Sequence, residues 1–167
     1  IASDPNFTAA YYNKGIAENE ANLYSEAAQT LTTLLEKDPE YSKAYFQRAR
    51  AYQGNNEYTK AEVDYKKSIE LDPKNPNAYY NYGTLQFLQQ EYDGAIASFT
   101  KTIELKGNET YAYNDRGSCY RMKGDYNKAI ADYEQAEKKN PNLAFVLNNI
   151  GTTKMKMKNY EGAIAAF

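Results

Sequence analysis

Residues 42–75 read SKAYFQRARAYQGNNEYTKAEVDYKKSIELDPKN, and this stretch decides the fold. Tyr45 is followed four residues on by a small residue, Ala49. Tyr58 stands nine further, then come Ala61, Tyr65 and a closing Pro73. The same order recurs every 34 residues along the whole chain. The small position reads Gly15, Ala49, Gly83, Gly117 and Gly151, and the aromatic before it Tyr11, Tyr45, Tyr79 and Tyr113, with Leu147 last. The other columns are Tyr24, Tyr58, Tyr92, Tyr126, Tyr160; Ala27, Ala61, Ala95, Ala129, Ala163; and Leu31, Tyr65, Phe99, Tyr133, Phe167. Self-similarity at a fixed period of this size marks an array in which each unit packs on its neighbours.

Within one period the apolar residues fall at three- and four-residue steps, twice over, which predicts two amphipathic helices per unit. The spacing places them at 8–21, 24–37, 42–55, 58–71, 76–89, 92–105, 110–123, 126–139, 144–157 and 160–167. Asp38, Asp72 and Asn140 each precede proline, a placement that disfavours helical backbone and ends the second helix. In the third unit Gly107 stands where proline is expected and is read as a left-handed cap. The small columns predict close helix approach, with the tyrosines filling the space around it.

The spacing resembles the tetratricopeptide repeat (TPR) family over essentially the whole chain, with Tyr or Leu in place of the usual tryptophan. The resemblance implies an all-α fold, a right-handed α-solenoid of stacked helix-turn-helix units. The units are read as 8–41, 42–75, 76–109, 110–143 and a truncated 144–167. Residues 1–7 read as the tail of a preceding unit, because Ile1 to Pro5 matches Ile69 to Pro73. The chain therefore reads as a piece of a longer array. Its last helix would leave Ala163, Ile164, Ala166 and Phe167 without a following partner.

Composition removes several function classes. The formal net charge is −2, against a general nucleic-acid binder. There is no histidine and one cysteine, Cys119, so an internal disulfide and a His- or Cys-based metal site or dyad are excluded. No apolar run approaches the ~20 residues of a membrane span. No catalytic constellation and no cofactor are expected.

The resemblance implies that the first helix of each unit lines a concave face that binds protein or peptide. On that face the periodicity places Tyr12, Phe46 and Tyr80 as an aromatic strip, continued by Asn114 and Asn148. Asn13, Gln47, Asn81, Asp115 and Asn149 form an amide column on the same face. The column resembles the asparagine ladder with which TPR superhelices hold an extended backbone, and an amide can meet a peptide N–H and C=O together. Arg50, Thr84, Phe87 and Arg121 complete the candidate groove, the two arginines favouring acidic ligands. The alternative is that the amides bond to neighbouring helices and stabilise the stack. The carboxylate clamp of TPR co-chaperones is absent, because no three successive first helices supply its basic residues. Two other readings stay open: self-assembly through the terminal units as a homo-oligomer, and a substrate-docking arm of an enzyme.

Overall fold

The structure, a computed structural model, describes residues 5–107 and 109–167. Residues 1–4, which carry most of the match to Ile69–Pro73, lie outside the described residues. Ten helices make up the described chain, with no strand among the described residues: α1 Pro5–Glu20, α2 Tyr24–Lys37, α3 Ser42–Gly54, α4 Tyr58–Leu71, α5 Pro76–Leu88, α6 Tyr92–Glu104, α7 Glu109–Met122, α8 Tyr126–Lys139, α9 Ala144–Lys156 and α10 Tyr160–Ala166. The fold is all-α and built of successive helix pairs, as the 34-residue period requires. One boundary differs from expectation by more than a residue: α1 begins at Pro5, not at 8. Proline is compatible with a first helical turn because its missing N–H would have no partner there.

The turn inside each pair is the same device five times. Helix α3 ends with Asn56 N–H bonded to Gln53 O at 3.0 Å and Glu57 N–H to Tyr52 O at 2.8 Å. This is a Schellman arrangement, and it needs one left-handed residue. That seat is held by Asn22, Asn56, Gln90, Gly124 and Lys158, all with φ between 59° and 83°. Each lies two residues before the tyrosine that opens the second helix, so the turn sets the helix start; of these second helices only α10 has a side-chain cap as well, Asn159 Oδ1 accepting from Gly162 N–H at 3.0 Å. At two turns that tyrosine also closes the turn: Tyr24 donates to Asn22 Oδ1 at 2.6 Å, and Tyr58 to Asn56 Oδ1 at 2.8 Å. The third unit ends α6 in the same way. Lys106, with φ 55°, takes the left-handed seat expected of Gly107, and Gly107 N–H bonds Thr102 O at 3.0 Å. A Schellman stop thus replaces the extended Asp38, Asp72 and Asn140 that stop the other second helices.

The helices fall into two compact units, Ile1–Leu85 and Gln86–Phe167. In the first, α2 packs between α1 and α3, and α3 packs on α4. Leu31, Leu34, Leu35 and Ala44 form one core, flanked by Phe7, Tyr11, Tyr12, Tyr41 and Tyr45. Ala49, Ala61, Tyr65 and Leu85 form the next and bring α5 onto α3 and α4. In the second unit α6 to α10 pack in chain order. Its core is Ala129, Tyr133, Ala136, Val146 and Ile150. The small column does what its composition requires. A Cβ on Gly15 would lie 2.7 Å from Leu31 Cγ, and one on Gly117 2.9 Å from the Tyr133 ring and 3.1 Å from Ala129 O. Cys119 is fully buried, and burial, aided by the Asp115 charge, pushes its thiol up to about 12.

A second ordering recurs in alternate repeats. Arg48 donates from Nε and one terminal nitrogen to the two oxygens of Asp64, at 2.7 and 2.9 Å, and from the other to Thr32 Oγ1 at 3.0 Å. Arg116 does the same to Asp132, at 2.8 and 2.7 Å, and to Thr100 at 2.9 Å. Each guanidinium joins its own pair's second helix to that of the preceding pair, while stacking near Tyr45 or Tyr113. The Asp132 hydrogen bonds raise the Arg116 pKa against desolvation; at Arg48 desolvation is the largest single influence, but the Asp64 hydrogen bonds and charge, with Tyr52 and Tyr45, together outweigh it. The bidentate geometry is the strong form of an ion pair.

Candidate functional site

In the first unit the candidate residues sit on α1, α3 and α5. Tyr12, Phe46 and Tyr80 are half-buried. The Tyr12 ring meets Tyr41 edge-on at 5.4 Å, and Phe46 lies 6.2 Å from buried Tyr65. Each of these two rings is braced on one side by a tyrosine and keeps part of its surface open. Asn13 is exposed. Asn81 donates to Asn77 O at 2.9 Å, and Thr84 to Tyr80 O at 3.0 Å, both within α5.

Gln47 is not an open rung. It is 7% exposed, and its side-chain oxygen accepts from Arg50 at 3.1 Å and Asn19 at 3.4 Å. Asn19 also donates to the Gln47 main-chain oxygen at 2.9 Å. The amide therefore ties α1 to α3 through its carbonyl. Arg50 in turn donates to Glu20 Oε1 at 3.2 Å. Tyr65 donates its hydroxyl to Gln53 at 2.8 Å; burial raises its pKa, with Arg50 pulling the other way.

In the second unit Phe87 is half-buried and T-shaped against Tyr92 at 5.7 Å. Asn149 donates to Asn114 Oδ1 at 2.8 Å, and Asn114, 7% exposed, donates to Asp115 Oδ1 at 2.9 Å. These amides are joined to one another across α7 and α9. Arg121 Nε donates to Tyr133 Oη at 3.3 Å. The stacked pair Tyr111 and Phe145, ring centres 6.0 Å apart and both exposed, lies on the same two helices.

The structure thus brings together Gln47 with Arg50 and Asn114 with Asn149, and leaves Asn13 and Asn81 outside those inter-helix pairs. Periodicity places Asn19 on this face but does not give its bond to Gln47, and it misses Glu20. A usable signal exists: Glu20–Arg50, Asp93–Lys123 and Glu109–Lys139 are opposite charges 30 residues apart, one repeat less about one helical turn, and all three are ion pairs. Among the described residues no group of three or more acidic or thiol side chains could hold a metal, and no helix is long and apolar enough to cross a membrane.

Comparison with known proteins agrees with this architecture. Tetratricopeptide repeat families match residues 9–41, 42–75, 64–97 and 110–143. No curated protein matches the chain in sequence. Among solved structures, MamA from Desulfovibrio magneticus superposes with a TM-score of 0.91 at 17% identity, covering 99% of this chain and 93% of that one. Pseudomonas aeruginosa PilF gives 0.86 at 21% identity over 96% and 73%. YrrB, described as a TPR protein with an unusual peptide-binding site, gives 0.81 at 22% over 99% and 90%. Identities this low speak to the fold alone. The family matches cover most of the chain, and its turns, small column and helix pairs have the geometry that such repeats require: the chain belongs to the tetratricopeptide repeat family.

Proposed function

We propose that this chain is a non-catalytic protein-interaction scaffold that holds an extended segment or a partner helix on its first-helix faces. The observation that carries the reading is the braced aromatic strip. Tyr12 and Phe46 are held on one side by Tyr41 and Tyr65 and remain part-exposed, so they can anchor a ligand at little further cost in side-chain freedom. Asn13 and Asn81 would hold backbone beside them, with Tyr80 and Thr84 on the same face. In the second unit Phe87, Arg121 and Asn149 would take the corresponding roles, Asn114 serving to orient Asn149, and Tyr111 with Phe145 would add apolar surface. Gln47, buried and with its oxygen occupied, would position Arg50 and not meet the ligand itself. The units are proposed to run 8–41, 42–75, 76–109, 110–143 and 144–167. YrrB, a TPR protein with a peptide-binding site, is a fold relative that makes this use of the surface plausible. The test is selection of random peptides on the immobilised protein, repeated with Phe46→Ala plus Asn81→Ala. Loss of peptide capture with helicity retained is expected; undiminished capture refutes the reading.

A further inference from the structure

Arg50 differs from the other arginine of its helix. Arg48 is spent on Asp64 and Thr32. Arg50 is aimed by two amides that are each more than nine-tenths buried. Asn19, 4% exposed, grips Gln47, 7% exposed, and Gln47 Oε1 accepts from one terminal nitrogen of Arg50. The other terminal nitrogen meets Glu20 at 3.2 Å. Glu20 is the last residue of α1, and its side chain is 65% exposed. The two sides of the guanidinium are therefore unequal. The amide side is buried; the carboxylate side is an exposed ion pair, among the weakest contacts in a fold. A guanidinium has five donors, and two are engaged here, so a carboxylate can be met by the rest or take the place of Glu20.

We infer that Arg50 is the receptor for an acidic side chain of the bound polypeptide, and that Glu20 occupies that place until the ligand arrives. The inference rests on the first-helix face being a peptide-binding surface and names the ligand's chemistry: an extended segment carrying Asp or Glu. Charge supports it. Helix α3 has no acidic residue, and exposed Lys43 lies two turns before Arg50 on the same face. Their separation along the helix is about 10.5 Å, about three residues of extended chain. A segment with acidic residues about three apart meets both. Phe46 stands between them and takes the intervening side chain.

The experiment uses two labelled pools of random peptides about nine residues long, the length that three first helices span. One has glutamate fixed at its centre and the other glutamine. Fluorescence anisotropy on the whole chain should show the glutamate pool binding at least about fivefold more tightly, the worth of a charge-assisted hydrogen bond after Glu20 is displaced. Arg50→Gln should abolish that difference, so that the two pools bind alike. Glu20→Gln should tighten the glutamate pool by up to about fivefold and leave the glutamine pool alone. Equal binding of both pools that still depends on Phe46 overturns the acidic receptor and keeps the peptide surface. No binding of either pool overturns both. Weaker glutamate binding in Glu20→Gln overturns the role of Glu20 as an occupant.

Discussion

Removing Asp132 tests how this array is joined. The Asp132 carboxylate is 9% exposed and takes two short hydrogen bonds from Arg116, itself 18% exposed. Asp132→Ala leaves a guanidinium with only Thr100 and a tyrosine face for company. Breaking one partner of a fully buried pair costs about 3–5 kcal/mol. Since Arg116 keeps some contact with water, the lower end applies, about 3 kcal/mol. With a urea dependence of about 2 kcal/mol per molar, the midpoint should fall by about 1.5 M. The compensated variant, Arg116→Met with Asp132→Leu, should recover to within about 1 kcal/mol, because two apolar groups of similar size carry no desolvation cost. Far-UV circular dichroism in urea reads both, and amide exchange in α7 and α8 localises the loss. Lys139→Ala, which removes an exposed pair with Glu109, should leave the midpoint unchanged. The reasoning is refuted if Asp132→Ala shifts the midpoint by less than about 0.3 M, or if the compensated variant is as unstable as the single one.

Three further outcomes follow from the geometry. Gly124→Ala should cost about 1–2 kcal/mol: its φ of 83° is left-handed, nothing lies within 4 Å of the added carbon, and so backbone strain acts alone. Ala95→Leu should cost about 1–3 kcal/mol, measured by thermal melting, since Ala95 is fully buried and extra methylenes in a packed core force its neighbours apart. Stability should also fall with pH from about 8.5 towards 12. The folded chain keeps the Cys119 proton to about 12, whereas the unfolded chain loses it near 8.5, so the unfolded state binds fewer protons across that window. The slope is at most about 1.4 kcal/mol per pH unit, and the difference between wild type and Cys119→Ala isolates it from tyrosine ionisation. A difference that stays constant with pH contradicts this account.

The candidate site was legible in part. The face of Tyr12, Phe46 and Tyr80 follows from periodicity, because a repeat of 34 returns each position to the same helix face. The bonding of the amides does not follow. Gln47 and Asn114 read as two more polar groups of one surface, yet the first is locked by Asn19 and Arg50, and the second by Asn149 and Asp115. For Phe46 and Tyr12 the sequence leaves open whether the rings anchor a ligand or pack on a neighbouring helix, and each proves to be half covered by a tyrosine. Of the two possibilities the sequence offers for the column, bonding between helices is seen at Gln47 and Asn149, and ligand holding by Asn13 and Asn81 is the proposal.

The sequence alone determined the helix pairs, the stops at Asp38, Asp72 and Asn140, and the small and aromatic columns. These depend on local backbone preference and on a one-dimensional period, both of which a chain displays without folding. The local turn geometry puts Lys106 and not Gly107 in the left-handed seat, and tertiary structure decided which polar atoms are already spent. Which atoms are spent depends on the offset between stacked helices. An offset of 28 residues sets Asn19 against Gln47, 30 sets Glu20 against Arg50, and 16 on either side sets Arg48 between Thr32 and Asp64. A repeat of 34 contains none of these numbers. They arise when helices of fixed length pack at contact distance, where a hydrogen bond forms or is lost within a fraction of an ångström.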